Sequence, residues 1–167
     1  MKELIDVLFE RMTDRDSYCG LKAYMDKRGL EKRTKAFALC VIGFTGCLPK
    51  DKVADVLGYH VLKSGTAVGA NYREANRAES RKDFIHKISI VEKEASETQH
   101  WLELLDQPGI SSVAERHERQ WLLRESGQLV AIFKKTGKTA KSNTSNSRFE
   151  FHGLCPWVNG AAAIMVQ

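Results

Sequence analysis

Apolar residues recur along this chain at the three- and four-residue spacing of helices, in four successive segments separated by turn-forming residues. In the first segment Phe37, Val41, Phe44 and Leu48 lie on one stripe, and Ala36, Cys40, Gly43 and Cys47 form a parallel stripe of small residues. This predicts a helix from about Thr34 to Leu48 that Pro49 stops. Leu39 and Ile42 add apolar surface on a third side. A helix apolar nearly all round needs more cover than one bundle face supplies, which points to self-association.

The second segment, about Lys52 to Ala78, puts Val53, Leu57, Val61, Val68, Tyr72 and Ala75 on one stripe, with Gly58, Gly65 and Gly69 on its flank. Each glycine costs a helix about 1 kcal/mol relative to alanine. Three on one side therefore predict close approach of a neighbouring helix, with a loop at Ser64, Gly65 and Thr66 as the alternative. The third helix begins near Ser80, where Ser80-Arg81-Lys82-Asp83 has the character of a cap. Phe84, Ile88, Val91, Ala95, Thr98, Leu102 and Leu105 then keep a 4-3 spacing through three heptads. After Pro108-Gly109, the capping box Ser112-Val113-Ala114-Glu115 opens a fourth helix through Trp121, Leu122, Leu129, Val130, Ile132 and Phe133.

Four helices with short connections predict an all-α fold, an antiparallel up-down four-helix bundle over residues 33–137. Residues 1–32 read as an N-terminal helical extension, with Leu4, Ile5, Leu8 and Phe9 at helical spacing before a polar connection. Residues 138–167 read as a flexible C-terminal tail, because the chain turns to Lys, Thr, Ser, Asn and Gly from Thr136 to Ser147. Lys134, Lys135, Lys138 and Lys141 would make its start a basic arm. A length of 167 residues with 43% hydrophobic content suits one domain with a real core, and a second full domain is not expected.

Charge changes the picture modestly: 26 Lys plus Arg against 21 Asp plus Glu, a net of +5, fits a soluble protein that leans towards anionic partners. The cysteines, Cys19, Cys40, Cys47 and Cys155, show neither a C-x-x-C pair nor zinc-ligand spacing. Cys40 and Cys47 are about 10 Å apart along a helix axis, too far for a disulfide, so free thiols in a reducing compartment are expected. Lys2, Glu3, Asp6 and Glu10 interrupt the apolar residues of the N-terminus, unlike a signal peptide. The most apolar run, Phe37 to Leu48, is far short of the roughly 20 residues that span a bilayer. The expectation is a cytoplasmic protein without membrane contact.

Two stripes carry candidate chemistry. On the second helix Tyr59, Lys63, Thr66, Ala70, Arg73 and Arg77 align, and Arg81 and Lys82 continue the positive charge past its end. Such a row can track a phosphate backbone, with Tyr59 offering a stacking surface; a solvated face pairing across subunits is the alternative. A further basic cluster, Lys27, Arg28, Lys32, Arg33 and Lys35 opposed only by Glu31, leads into the first helix. Opposite the core stripe of the third helix lie His86, Ile90, Lys93, Glu97, His100 and Leu104, with Trp101 beside them, a mixture suited to an oligomer interface. Lys93 and Glu97 could equally be an ordinary surface pair.

Glu97-Thr98-Gln99-His100 has the Glu-x-x-His form that di-metal bundles use in pairs. The second copy, Asp83-Phe84-Ile85-His86, is a poor one, and Glu97 and His100 face away from the core stripe, so neither a metal site nor another cofactor is expected. There is no G-x-S-x-G, P-loop or dinucleotide fingerprint, and Cys40 and Cys47 read as packing residues. A non-enzymatic protein is expected.

The segments RTKAFAL (Arg33 to Leu39), LPK (Leu48 to Lys50), VLGYHVLKSGTAVGANYREANRAESRKDFIHK (Val56 to Lys87) and VEKEASETQHWLELL (Val91 to Leu105) closely resemble one bacterial family. It comprises four-helix-bundle proteins encoded in intervening sequences of 23S ribosomal RNA. With a looser match at LLRESGQLVAIFKKT (Leu122 to Thr136), the resemblance covers roughly two-thirds of the chain. It implies a left-handed up-down bundle that assembles as a homopentamer and has no known enzyme activity. A related branch, the accessory variability proteins of diversity-generating retroelements, resembles basic pentamers that bind nucleic acid and a reverse transcriptase. Lys63 stands where the family more often has Arg, Ala67 where Ser is usual and His100 where an aromatic is usual; residues before Arg33 and after about Lys141 fall outside the pattern.

The resulting expectation is an oligomer that binds structured RNA or DNA through Tyr59, Lys63, Arg73, Arg77, Arg81 and Lys82, with a reverse transcriptase or another protein as a further partner. The competing expectation is a protein-interaction scaffold without nucleic-acid binding. A metal-dependent oxidase is a third and weaker alternative.

Overall fold

In the structure, a computed structural model, residues 27–107, 110 and 116–142 are described. They form four helices, α1 (Lys27–Cys47), α2 (Lys52–Ala75), α3 (Arg81–Leu105) and α4 (Arg116–Ser142), with no strand among the described residues. The predicted N-terminal helix and the capping box at 112–115 lie outside the described residues.

The register of cross-helix contacts gives the topology. Gly65 of α2 sits against Val41 of α1, and Gly69 against Thr34, so one helix descends as the other rises. The Thr98 hydroxyl donates to the Ser64 hydroxyl at 2.9 Å, while Lys87 reaches Glu74 at 3.8 Å, which makes α2 and α3 antiparallel. Arg81 bonds the Ala140 carbonyl and Arg119 pairs with Asp106 at 2.7 Å, so α3 and α4 are antiparallel too. The bundle is therefore up-down, each helix packing on its chain neighbours, and α1 meets α4 through the sparsest of the four contacts.

The core follows the predicted stripes closely on α3, where Phe84, Ile88, Val91, Ala95, Thr98, Leu102 and Leu105 are all buried. Burying a side chain of the size of Leu102 or Phe133 stabilises the fold by about 1.5–3 kcal/mol. On α2 the inward stripe is Ala54, Gly58, Val61, Gly65, Val68, Tyr72 and Ala75, a regular 4-3 repeat. Val53, predicted in that stripe, is exposed, and Leu57 is only half-buried, because both lie one position behind it. The helix runs unbroken through Ser64, Gly65 and Thr66.

A Cβ on Gly65 would lie 2.8 Å from a Val41 methyl, one on Gly58 would lie 2.9 Å from Leu48, and one on Gly69 would lie 3.3 Å from the Thr34 carbonyl oxygen. Gly65 and Gly69 thus let α1 lie close along α2, and Gly58 makes room for Leu48 just past the end of α1.

Capping fixes the ends. The Asp51 carboxylate accepts from the Val53 and Ala54 amides, at 2.9 and 3.0 Å, and starts α2. At α3 the Ser80 hydroxyl accepts from the Asp83 amide at 3.1 Å, while Asp83 accepts from the Glu79 amide, one residue earlier than in a standard capping box. Three boundaries differ from expectation. Helix α1 is already helical at Lys27, held by buried Gly29 and Leu30, and α4 continues to Ser142 because Ala140 is buried. Helix α2 stops at Ala75, three residues early, where Asn76 caps it.

Among the described residues one ion pair is interior. Arg33 Nε donates to Glu125 Oε1 at 2.5 Å, and its Nη2 donates to Glu125 Oε2 at 2.9 Å and to Gln128 Oε1 at 2.6 Å. This planar fork joins α1 to α4, the helix pair with the sparsest contact of the four. Burial, and after it the Glu125 carboxylate, pushes the nearby Cys40 thiol up to about 11.

Candidate nucleic-acid interface

Up-down topology brings the first described turns of α1, the end of α2, the start of α3 and the last described turns of α4 to one end of the bundle. Each delivers cations there. Arg28, Lys32 and Lys35 are exposed on α1, Arg73 and Arg77 at the end of α2, Lys82 on α3, and Lys134, Lys135 and Lys138 on α4. No carboxylate of the described residues lies within ion-pair reach of Arg28, Lys32, Lys35, Arg73, Arg77 or Lys82. The carboxylates at this end are fewer: Glu31 accepts from the Asn76 amide at 2.7 Å, Glu74 and Asp83 flank Lys87, and Glu79 is exposed in the turn between α2 and α3.

The stripe predicted on α2 divides. Lys63 and Arg73 are exposed along the helix as expected. Arg77 is exposed but sits in the turn after α2, its amide bonded to the Glu74 carbonyl at 2.9 Å. Arg81 is half-buried and its guanidinium donates to the carbonyls of Ala140 and Lys141, so it ties α3 to α4. Tyr59 is 61% exposed, its ring edge-on to that of His60 with centroids 5.7 Å apart. Among the described residues Leu39, Ile42, Val53, Val56 and Leu62 are the other large exposed hydrophobics, all on α1 and α2.

The α3 stripe keeps its mixed character. His86, Lys93 and His100 are exposed, and Ile90, Glu97, Trp101 and Leu104 are half-buried. Trp101 is partly satisfied within the chain: its indole stacks on His60 of α2 with centroids 4.3 Å apart and planes at 16°, and its Nε1 donates to Glu97 at 3.3 Å. His100 meets the same indole edge-on at 5.1 Å.

Across the α1–α2 seam the basic cluster of α1 faces the basic stripe of α2. Arg28, Lys32 and Lys35 on one side and Arg73 on the other bound an open groove of about 560 Å³. Sequence reasoning found both sets of cations without joining them. The available signal was the i, i+4, i+7 spacing of Arg28, Lys32 and Lys35, which places them on one face of α1.

A sequence model of the 23S rRNA-intervening sequence protein family matches residues 30–131. The chain belongs to that family. A crystal structure of a protein of unknown function from Bacteroides thetaiotaomicron, of the S23 ribosomal protein family, superposes with a TM-score of 0.58. It is 33% identical in sequence, and the alignment covers 65% of this chain and 98% of that one. Among individually curated proteins, none matches. The family match takes in Lys32, Lys35, Lys63, Arg73, Arg77 and Lys82, whereas Arg28 and the lysines from Lys134 onward lie outside it. No helix of the described residues is long and apolar enough to cross a membrane.

Proposed function

We propose that this chain is a non-enzymatic cytoplasmic module that binds nucleic acid through the basic end of its bundle. The observation that carries the reading is the collection, at one end, of exposed cations from all four helices, several without a carboxylate partner among the described residues. Unneutralised Lys and Arg at close quarters repel one another, and a polyanion relieves that repulsion while releasing its condensed counterions. Arg73, Arg77 and Lys82 lie in this surface, whereas Lys63 stands mid-helix, about 15 Å along α2 from Arg73 and away from the basic end. Arg81 supports it from beneath by fixing α3 against α4.

A second reading, self-association or docking of another protein such as a reverse transcriptase, is favoured by a different observation. Leu39, Ile42, Val53, Val56, Tyr59 and Leu62 expose apolar surface on α1 and α2. Assembly as a homopentamer, implied by the family resemblance, would bury such surface and repeat the basic end around a ring, multiplying weak contacts by avidity. We assign Tyr59 to this apolar surface and the cations to nucleic acid.

Fluorescence anisotropy with labelled RNA and duplex DNA, titrated across salt, tests the first reading. Binding that declines steeply with salt, and less steeply in Arg73→Ala/Arg77→Ala, is expected. No binding at low salt would leave the protein-docking reading in front. Light scattering of Ile42→Asp beside the parent chain tests the second, with a smaller assembly expected for the variant.

A further inference from the structure

The groove between α1 and α2 differs from the rest of the basic end in having cations on both banks. Arg28, Lys32 and Lys35 follow one another along α1 over a rise of about 10 Å, and Arg73 stands across from them on α2. The floor is made of small, uncharged side chains, with Thr66, Gly69 and Ala70 on the α2 side. The Thr66 hydroxyl is turned away to the Leu62 carbonyl at 2.7 Å. Gly69 lets α2 approach the α1 backbone at Thr34, which brings the two banks together. The one carboxylate in the lining, Glu31, already accepts from Asn76 at 2.7 Å.

Cations spread along a trough suit a ligand whose negative charges repeat along a line, since a single small anion reaches only one or two of them. Guanidinium groups on both banks suit forked contacts to phosphate oxygens. A duplex is a convex cylinder and would touch only the rims of a trough one helix–helix spacing wide, about 8–10 Å. One strand can lie inside it. Building on the nucleic-acid reading above, we infer that this groove takes the sugar–phosphate backbone of single-stranded nucleic acid, with Arg28, Lys32 and Lys35 contacting it from one side and Arg73 from the other.

The test is anisotropy of the full chain with an unstructured oligouridylate and with a duplex RNA, across a salt series. Two groove variants, Lys32→Ala/Lys35→Ala and the exposed-site Ala70→Glu, are compared with Lys50→Ala/Lys52→Ala at the opposite end, and circular dichroism checks the fold of each. The expected result is tighter binding of the oligouridylate than of the duplex. Lys32→Ala/Lys35→Ala should weaken oligouridylate binding about tenfold and shrink the log–log salt slope by about 1.4. Ala70→Glu should weaken it without removing any cation, and Lys50→Ala/Lys52→Ala should leave it unchanged. Should Ala70→Glu fail to fold, the lysine pair alone decides. Preference for the duplex, equal competition by oligoglutamate, or unaltered binding in folded groove variants would overturn the groove assignment while leaving nucleic-acid binding intact. Absence of binding to either RNA at low salt would overturn both.

Discussion

Helix α1 carries its cations on two sides, and the two sides meet different fates. Arg33 turns into the α1–α4 seam, where Glu125 and Gln128 take up its guanidinium. Its neighbours Lys32 and Lys35 turn towards α2, where the opposite bank offers another cation, Arg73. Residues of one charge class, adjacent in sequence, thus become part of the fold in one case and open surface in the other. Net charge therefore says little about a binding face; what decides is whether the facing helix supplies a carboxylate.

The largest expected effect breaks the α4 side of that comparison. Glu125→Leu strands a buried guanidinium and should cost about 3–5 kcal/mol, whereas Arg33→Met/Glu125→Leu, which removes both charges, should return to within about 1 kcal/mol of the parent. Urea denaturation of the three proteins checks this, and equal losses in single and double variants would contradict it. Next comes the seam that shapes the groove. Gly65→Ala drives a Cβ against Val41, an overpacking cost of about 1–3 kcal/mol, set against about 1 kcal/mol regained in helix propensity. A net loss of up to about 2 kcal/mol is expected in thermal melts.

A smaller effect reports on burial beside the Arg33–Glu125 pair. The Cys40 thiol is raised from 9.0 to about 11, so between these values the unfolded chain has released a proton that the folded chain still holds. Stability from this group is fully present below pH 9 and is lost as pH rises towards and through 11. The alkaline decline should be shallower in Cys40→Ala than in the parent. At pH 8, mass spectrometry should find exposed Cys47 alkylated well before Cys40. The smallest effect belongs to the open side: Lys32→Ala/Lys35→Ala should change folding stability by less than about 0.5 kcal/mol, since neither lysine has an ion-pair partner among the described residues.

The fold was legible where large apolar residues mark the inward face. On α3 every residue of the predicted stripe is buried, because Phe84, Ile88, Leu102 and the rest leave one register open. On α2 small residues do the packing at the start of the helix, and the conspicuous Val53 and Leu57 mark a stripe one position off from the buried Ala54 and Gly58. The far turns of α1 and α4 were hidden for a related reason. Their composition is polar, and tertiary contacts made by Leu30 and Ala140 bury them.

The candidate site was legible in pieces. Spacing alone marked Lys63 and Arg73 on α2 and the basic cluster at the start of α1. The meeting of Arg73 with the α1 cluster across one groove depends on the register that Gly65 and Gly69 set against Val41 and Thr34, a relation between residues some 25 to 35 positions apart that no local pattern encodes. The diversion of Arg81 to the carbonyls of Ala140 and Lys141 and the pairing of Arg33 with Glu125 depend on the same long-range geometry.

Lysine acetylation footprinting of the full chain, with and without saturating single-stranded RNA at low salt, tests most directly the claim that the basic end is the binding surface. Protection is predicted at Lys32, Lys35 and Lys82, with Lys50 and Lys52 at the opposite end reacting as before. Equal protection at both ends, or no change at Lys32 and Lys35 while RNA is bound, would contradict it.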